Sequence, residues 1–143
     1  MRTWPWTVFR ICCTGSAVLI FNQAVFAGQF LGGSFGALHT HRENATVAGI
    51  AVLVTTVAAL LVRLLGDGPA WPALASLGLF GLIAAEIMLG FARVLTVHIP
   101  LGVAIIALTA MLTRWSWRTT RPPVDPVSPA AAETTDDIPA ALR

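Results

Sequence analysis

The chain has 143 residues, of which 56% are hydrophobic and only 11% charged; its mean hydropathy is +0.76. A soluble domain of this size needs a polar surface that such a composition does not supply. The formal charge of +2 records arginines beside apolar segments, not a nucleic-acid-binding face, and the length admits one bundle and no second domain.

Four charge-free runs, Ile11–His41, Asn44–Val62, Gly68–Ala85 and Val94–Thr113, dominate the chain. A helix of about 20 residues crosses the roughly 30 Å hydrocarbon core. Each run far exceeds the 9–11 alternating residues of a membrane strand, so helices are expected and a barrel is not. The predicted fold is an all-α integral membrane protein, an antiparallel up-down-up-down four-helix transmembrane bundle.

The first span is predicted over 8–31, with Trp4 and Trp6 as interfacial anchors before it. Arg2, Arg10 and Val25-Phe26-Ala27 resemble the ends of a cleavable signal peptide. The apolar stretch continues past that site and Asn22-Gln23 interrupts its core, so a retained span is expected. The adjacent Cys12 and Cys13 lack redox or zinc spacing and read as small apolar fillers, acylation being the alternative. Gly28, Gly32 and Gly36 recur every four residues and predict a smooth ridge for a neighbouring helix, a membrane partner or self-association. The link Ser34–Glu43 carries His39, His41 and Arg42. Asn44 is expected to cap a second span over 45–65, with Arg63 at its far end. Gly66-Asp67-Gly68-Pro69 reads as a tight turn.

The third span is predicted over 71–92, opened by Trp71-Pro72. Its Ala75, Gly78, Gly81 and Ala85 share one side and suit close packing. After a short turn at Arg93–Val97, the fourth span is predicted over 96–115, with Pro100 in its first turn and Trp115 and Trp117 at the closing interface. From Arg118 to Arg143 the chain is rich in Pro, Thr, Ala and Asp and reads as a disordered cytoplasmic tail. Placing both termini on one side gathers Arg2, Arg10, Arg63, Arg114, Arg118, Arg121 and Arg143 there, against Arg42 and Arg93 on the other. The positive-inside bias then makes this a multi-pass cell-membrane protein with both termini in the cytoplasm.

This topology brings all three histidines, His39, His41 and His98, to one membrane face. Glu86 lies seven residues before Arg93, about 10 Å inward. Gln29 of the first span is expected at a comparable depth, and Gln29 and Glu86 are expected to form a polar bundle interior. Three readings compete for the histidines. His98 with His39 or His41 would ligate a b-type haem, Arg42 or Arg93 pairing with a propionate. The three together would hold copper or zinc. In the third reading they are ordinary interfacial residues bonded locally. Glu86 reads either as a hydrogen-bonding strut or as a proton-relaying or cation-binding carboxyl.

FNQAVFAGQFLGG ending span one and VHIPLG opening span four resemble a set of small four-helix membrane proteins of actinobacteria, a group with no established activity. A more distant likeness is to one half-bundle of haem A synthase. In that family a histidine–arginine pair opens the second helix and another histidine lies in the fourth. His41-Arg42 looks like the first element and His98 like the second. Position 38 is leucine where that family carries a glutamate used in its chemistry. The likeness therefore implies haem binding or a relic scaffold, not haem A synthesis. No single-chain active site is complete and no catalytic residue is assigned. The chain reads as a structural or accessory subunit of a membrane complex, not an enzyme. The alternative is a b-type haem-binding electron-transfer or haem-handling protein.

Overall fold

A computed structural model describes residues 3–119. The tail assigned from Arg118 onward lies almost wholly outside the described residues. Four helices, α1 (Trp4–Leu31), α2 (Ala37–Leu65), α3 (Trp71–Phe91) and α4 (Leu95–Arg118), form an antiparallel bundle with no sheet among the described residues. All four are long and apolar enough to cross a membrane. Helices satisfy every backbone donor within the segment, which hydrocarbon requires. α1 packs on α2 and α4, and α3 packs on the same two, so the helices form a ring with open diagonals.

The second helix differs from its predicted span. It begins at Ala37 with Gly36 as its N-cap, about two turns before residue 45. Its 29 residues measure about 43 Å, more than the roughly 30 Å hydrocarbon core. His39, His41 and Arg42 are therefore helical, not loop residues. Asn44 is no cap; its Nδ2 donates to the Leu19 carbonyl of α1 at 2.8 Å. The glycine ridge is not formed either. Only Gly28 lies in α1, while Gly32 is its C-cap and Gly36 opens α2. Gly33, with φ of 98°, ends α1 in a Schellman turn: its N–H donates to the Phe30 carbonyl and that of Ser34 to the Gln29 carbonyl, both at 3.0 Å. The end of α3 repeats this bonding with Arg93 at φ 58°. A side chain in that left-handed conformation costs roughly 1–2 kcal/mol.

On α3, Gly78, Gly81 and Ala85 are exposed, so that small-residue face looks out of the bundle. Pro100 lies in the second turn of α4, not the first. There it removes the donor that the Thr96 carbonyl would otherwise bond.

The two ends of the bundle are built differently. At the tryptophan end, the Trp115 ring of α4 lies 4.4 Å from that of Trp71, 6.1 Å from Trp6 and 6.5 Å from Phe9. Trp6 Nε1 donates to the Gly66 carbonyl at 3.2 Å. Arg10 caps α4 by donating to the carbonyls of Ser116 at 2.9 Å and Thr119 at 2.8 Å. A cation at a helix C-terminus complements its dipole. From the tryptophan cluster to the cavity the bundle is close-packed around Phe9, Cys13, Ile20, Val52 and Val62, with a buried Ser16–Thr55 hydroxyl pair at 2.9 Å joining α1 to α2. Cys13 is a buried free thiol and Cys12 a half-buried one. At the histidine end the four helices enclose a cavity instead.

Candidate functional site

The cavity measures about 490 Å³ and is lined from all four helices, a size in the range of about 300–1,000 Å³ typical of cofactor pockets. Its floor is apolar and buried: Ile20 of α1, Ala48 of α2, Ile83 of α3 and Ile105 of α4. It reaches the surface where lining residues are exposed, at Arg42 and Phe91 and along Ala24, Gly28, Ile99 and Val103. The Arg42 side chain lies over the Phe91 ring at 5.5 Å, which places a cation at the mouth.

Two histidines enter this space from opposite sides of the ring of helices. His41, in the second turn of α2, has Nδ1 at 3.1 Å from the Gln23 carbonyl of α1. His98, at the start of α4, has Nδ1 at 3.1 Å from the Glu86 carbonyl of α3. A carbonyl oxygen only accepts, so in both rings Nδ1 is the donor and carries the proton. In the neutral form of each ring, Nε2 is then the nitrogen with the free lone pair. The ring centroids are 6.3 Å apart and the planes 73° to each other.

A reciprocal packing of α3 and α4 positions His98. A Cβ at Gly90 of α3 would stand 3.1 Å from His98 Cε1. A Cβ at Gly102 of α4 would stand 2.9 Å from Glu86 Oε1. On each helix the large polar residue and the glycine are four apart and share a face. Each large residue therefore sits where its antiparallel partner has none. Glu86 also brings Oε1 to 3.1 Å from His98 Nδ1, so one N–H faces two acceptors of the same residue.

The other expected site residues fall elsewhere. His39 is exposed and pairs with Glu43 on its own helix at 3.5 Å; it does not line the cavity. Gln29 is exposed and off the lining as well. Gln23, nearly two turns earlier, lines the cavity in its place. The Gln23 side-chain amide and Glu86 Oε2 are buried without a hydrogen-bond partner among the described residues. A polar residue within an apolar span is the signal that could have pointed to Gln23. Among the described residues no three His, Cys, Asp or Glu side chains gather as a metal-binding group, so the three-histidine copper or zinc arrangement is not formed. The arrangement instead places two imidazoles across an apolar cavity, with a cation at the mouth and a carboxyl behind one of them. The chain matches no protein-family model, no curated protein and no solved structure.

Proposed function

We propose that the bundle binds one b-type haem through His41 and His98 and serves in electron transfer or haem handling in the membrane. The spacing of the two rings carries this reading. An iron–imidazole bond is about 2.0 Å, as for other metal–histidine bonds. Atoms of a five-membered ring with bonds of about 1.35 Å lie about 1.15 Å from its centre. Two rings whose Nε2 atoms face one iron in line would have centres about 6.3 Å apart, and the His41 and His98 centroids are 6.3 Å apart. Both rings are anchored through Nδ1 on backbone carbonyls, the outer-shell arrangement that fixes tautomer and orientation in metal-ligating histidines.

Arg42 at the mouth supplies the cation for a propionate, and the apolar floor suits a macrocycle. A bound haem, held by His41 and His98, would supply a one-electron redox centre. The likeness of His41-Arg42 and His98 to a haem A synthase half-bundle points the same way, with Leu38 keeping it from implying that family's chemistry.

Hemin added to the detergent-purified protein is expected to bind one per chain. The reduced form should show a sharp Soret band with resolved α and β peaks. A protein that stays colourless, or binds hemin only in a broad unligated form, would sink the reading. A structural or accessory subunit without a cofactor predicts that colourless outcome.

The arginine bias supports placing the tryptophan end and both termini in the cytoplasm, with the histidine cavity opening outward. Thr40 is exposed on the first turn of α2. A cysteine placed there, with Cys12 and Cys13 replaced by alanine, should react with an impermeant maleimide added outside intact cells. Reaction only in inverted vesicles would reverse the orientation.

A further inference from the structure

We infer that Glu86 is a positioning residue that makes the two haem ligands unequal, its side chain strengthening electron donation from His98 and lowering the reduction potential of the bound iron. This inference rests on the haem reading and goes beyond it by assigning a role to a residue that does not touch the metal.

The asymmetry lies in what each Nδ1–H faces. For His41 it is one neutral backbone carbonyl, that of Gln23. For His98 it is the Glu86 carbonyl and the Glu86 carboxyl oxygen together, each at 3.1 Å. A hydrogen bond to a carboxylate is stronger than one to a neutral carbonyl. It draws the Nδ1 proton away from the ring and raises the basicity of Nε2, the atom left for the metal. A more basic axial ligand favours the oxidised, more positive iron.

The contact is built into the helix packing, not made by a mobile surface side chain. Glu86 and His98 are both largely enclosed, with side-chain exposures of 16% and 19%. A Cβ at position 102 would stand 2.9 Å from Oε1, so any residue larger than glycine there would force the carboxyl to shift. A strut joining two helices needs no such cleared space beside a particular ring nitrogen. The location of the carboxyl, one turn deeper than the imidazole and reaching back to it, is the arrangement of an outer-shell ligand partner.

The test is a redox titration of the hemin-loaded protein in detergent. In Glu86→Gln an amide oxygen still accepts from Nδ1 but carries no negative charge. The midpoint potential should move to a more positive value, with one haem per chain and unchanged α and β peaks. Gly102→Ala displaces the carboxyl without removing it, so its potential should move the same way. Unchanged potentials in both variants would overturn the role of Glu86 while leaving haem binding standing. Loss of haem from both would also overturn it, in favour of a purely structural strut. Failure of the unaltered protein to take up hemin would instead remove the haem reading itself.

Discussion

Replacing His41 with alanine is expected to weaken hemin binding by more than about a hundredfold and to abolish the bis-imidazole spectrum. Mutation of a partner that only orients a metal ligand already costs about 10–100-fold, and here a ligand itself is removed. The fold should survive. His41 is half-buried at the open end of the bundle, away from the packed core around Phe9, Cys13 and Val62. Its loss also strands no side chain, because its Nδ1 partner is the backbone oxygen of Gln23. His98→Ala should give the same spectral loss with a further cost in stability, since it removes the imidazole beside the Glu86 carboxyl and an enclosed carboxyl without a partner is costly. His39→Ala should bind hemin as the unaltered protein does, because His39 is exposed and paired with Glu43. Hemin titration with circular dichroism on the same samples separates ligand loss from unfolding. Retention of the sharp α band in His41→Ala would exclude this residue as a ligand.

Trp115→Ala is the substitution expected to cost the most stability. The indole bridges α4 to α1 and α3 through rings at 4.4, 6.1 and 6.5 Å. Aromatic pairs of this kind contribute about 0.5–1.5 kcal/mol beyond their area burial. Removing a buried tryptophan costs about 3–5 kcal/mol; because Trp115 is only half-buried, a loss of about 3 kcal/mol is expected. The remaining contacts at that end are mainly polar: the Arg10 cap, the Trp6 bond to the Gly66 carbonyl and the Trp117 bond to Thr14. Thermal unfolding in detergent should therefore begin at a clearly lower temperature, while hemin affinity at low temperature stays unchanged. The cavity lies at the opposite end and shares no lining residue with the cluster. An unaltered unfolding temperature would show that the aromatic cluster does not hold the bundle closed.

The four spans, the short turns and the antiparallel order were legible in the chain because each follows from a one-dimensional property. About 20 apolar residues without charge cross a bilayer only as a helix, and a connection of a few residues returns the chain beside itself. The same reasoning brought His41 and His98 to one face and marked Glu86 as a residue that hydrocarbon would not tolerate on the outside.

Which polar groups meet was decided by tertiary structure. Successive residues on a helix turn by about 100°, so facing depends on where the helix begins and how it is rotated against its neighbours. Read as a loop, the link before Asn44 left His39 and His41 equivalent. With α2 beginning at Ala37, the two are about 200° apart, and only His41 turns into the cavity. Depth placed Gln29 in the interior, yet the rotation of α1 turns it outward and brings Gln23 in. The glycines show the same division. Four-residue spacing predicted a ridge at Gly28, Gly32 and Gly36, which the end of α1 at Leu31 breaks. Gly90 and Gly102 carry no pattern of their own in the chain, and their place opposite His98 and Glu86 follows from the antiparallel register of α3 and α4. Hydropathy decides that a helix crosses the membrane because transfer into hydrocarbon depends on the composition of the whole segment, whichever way each side chain faces. The partners of an imidazole or a carboxyl come from one side only, and that side is set by packing.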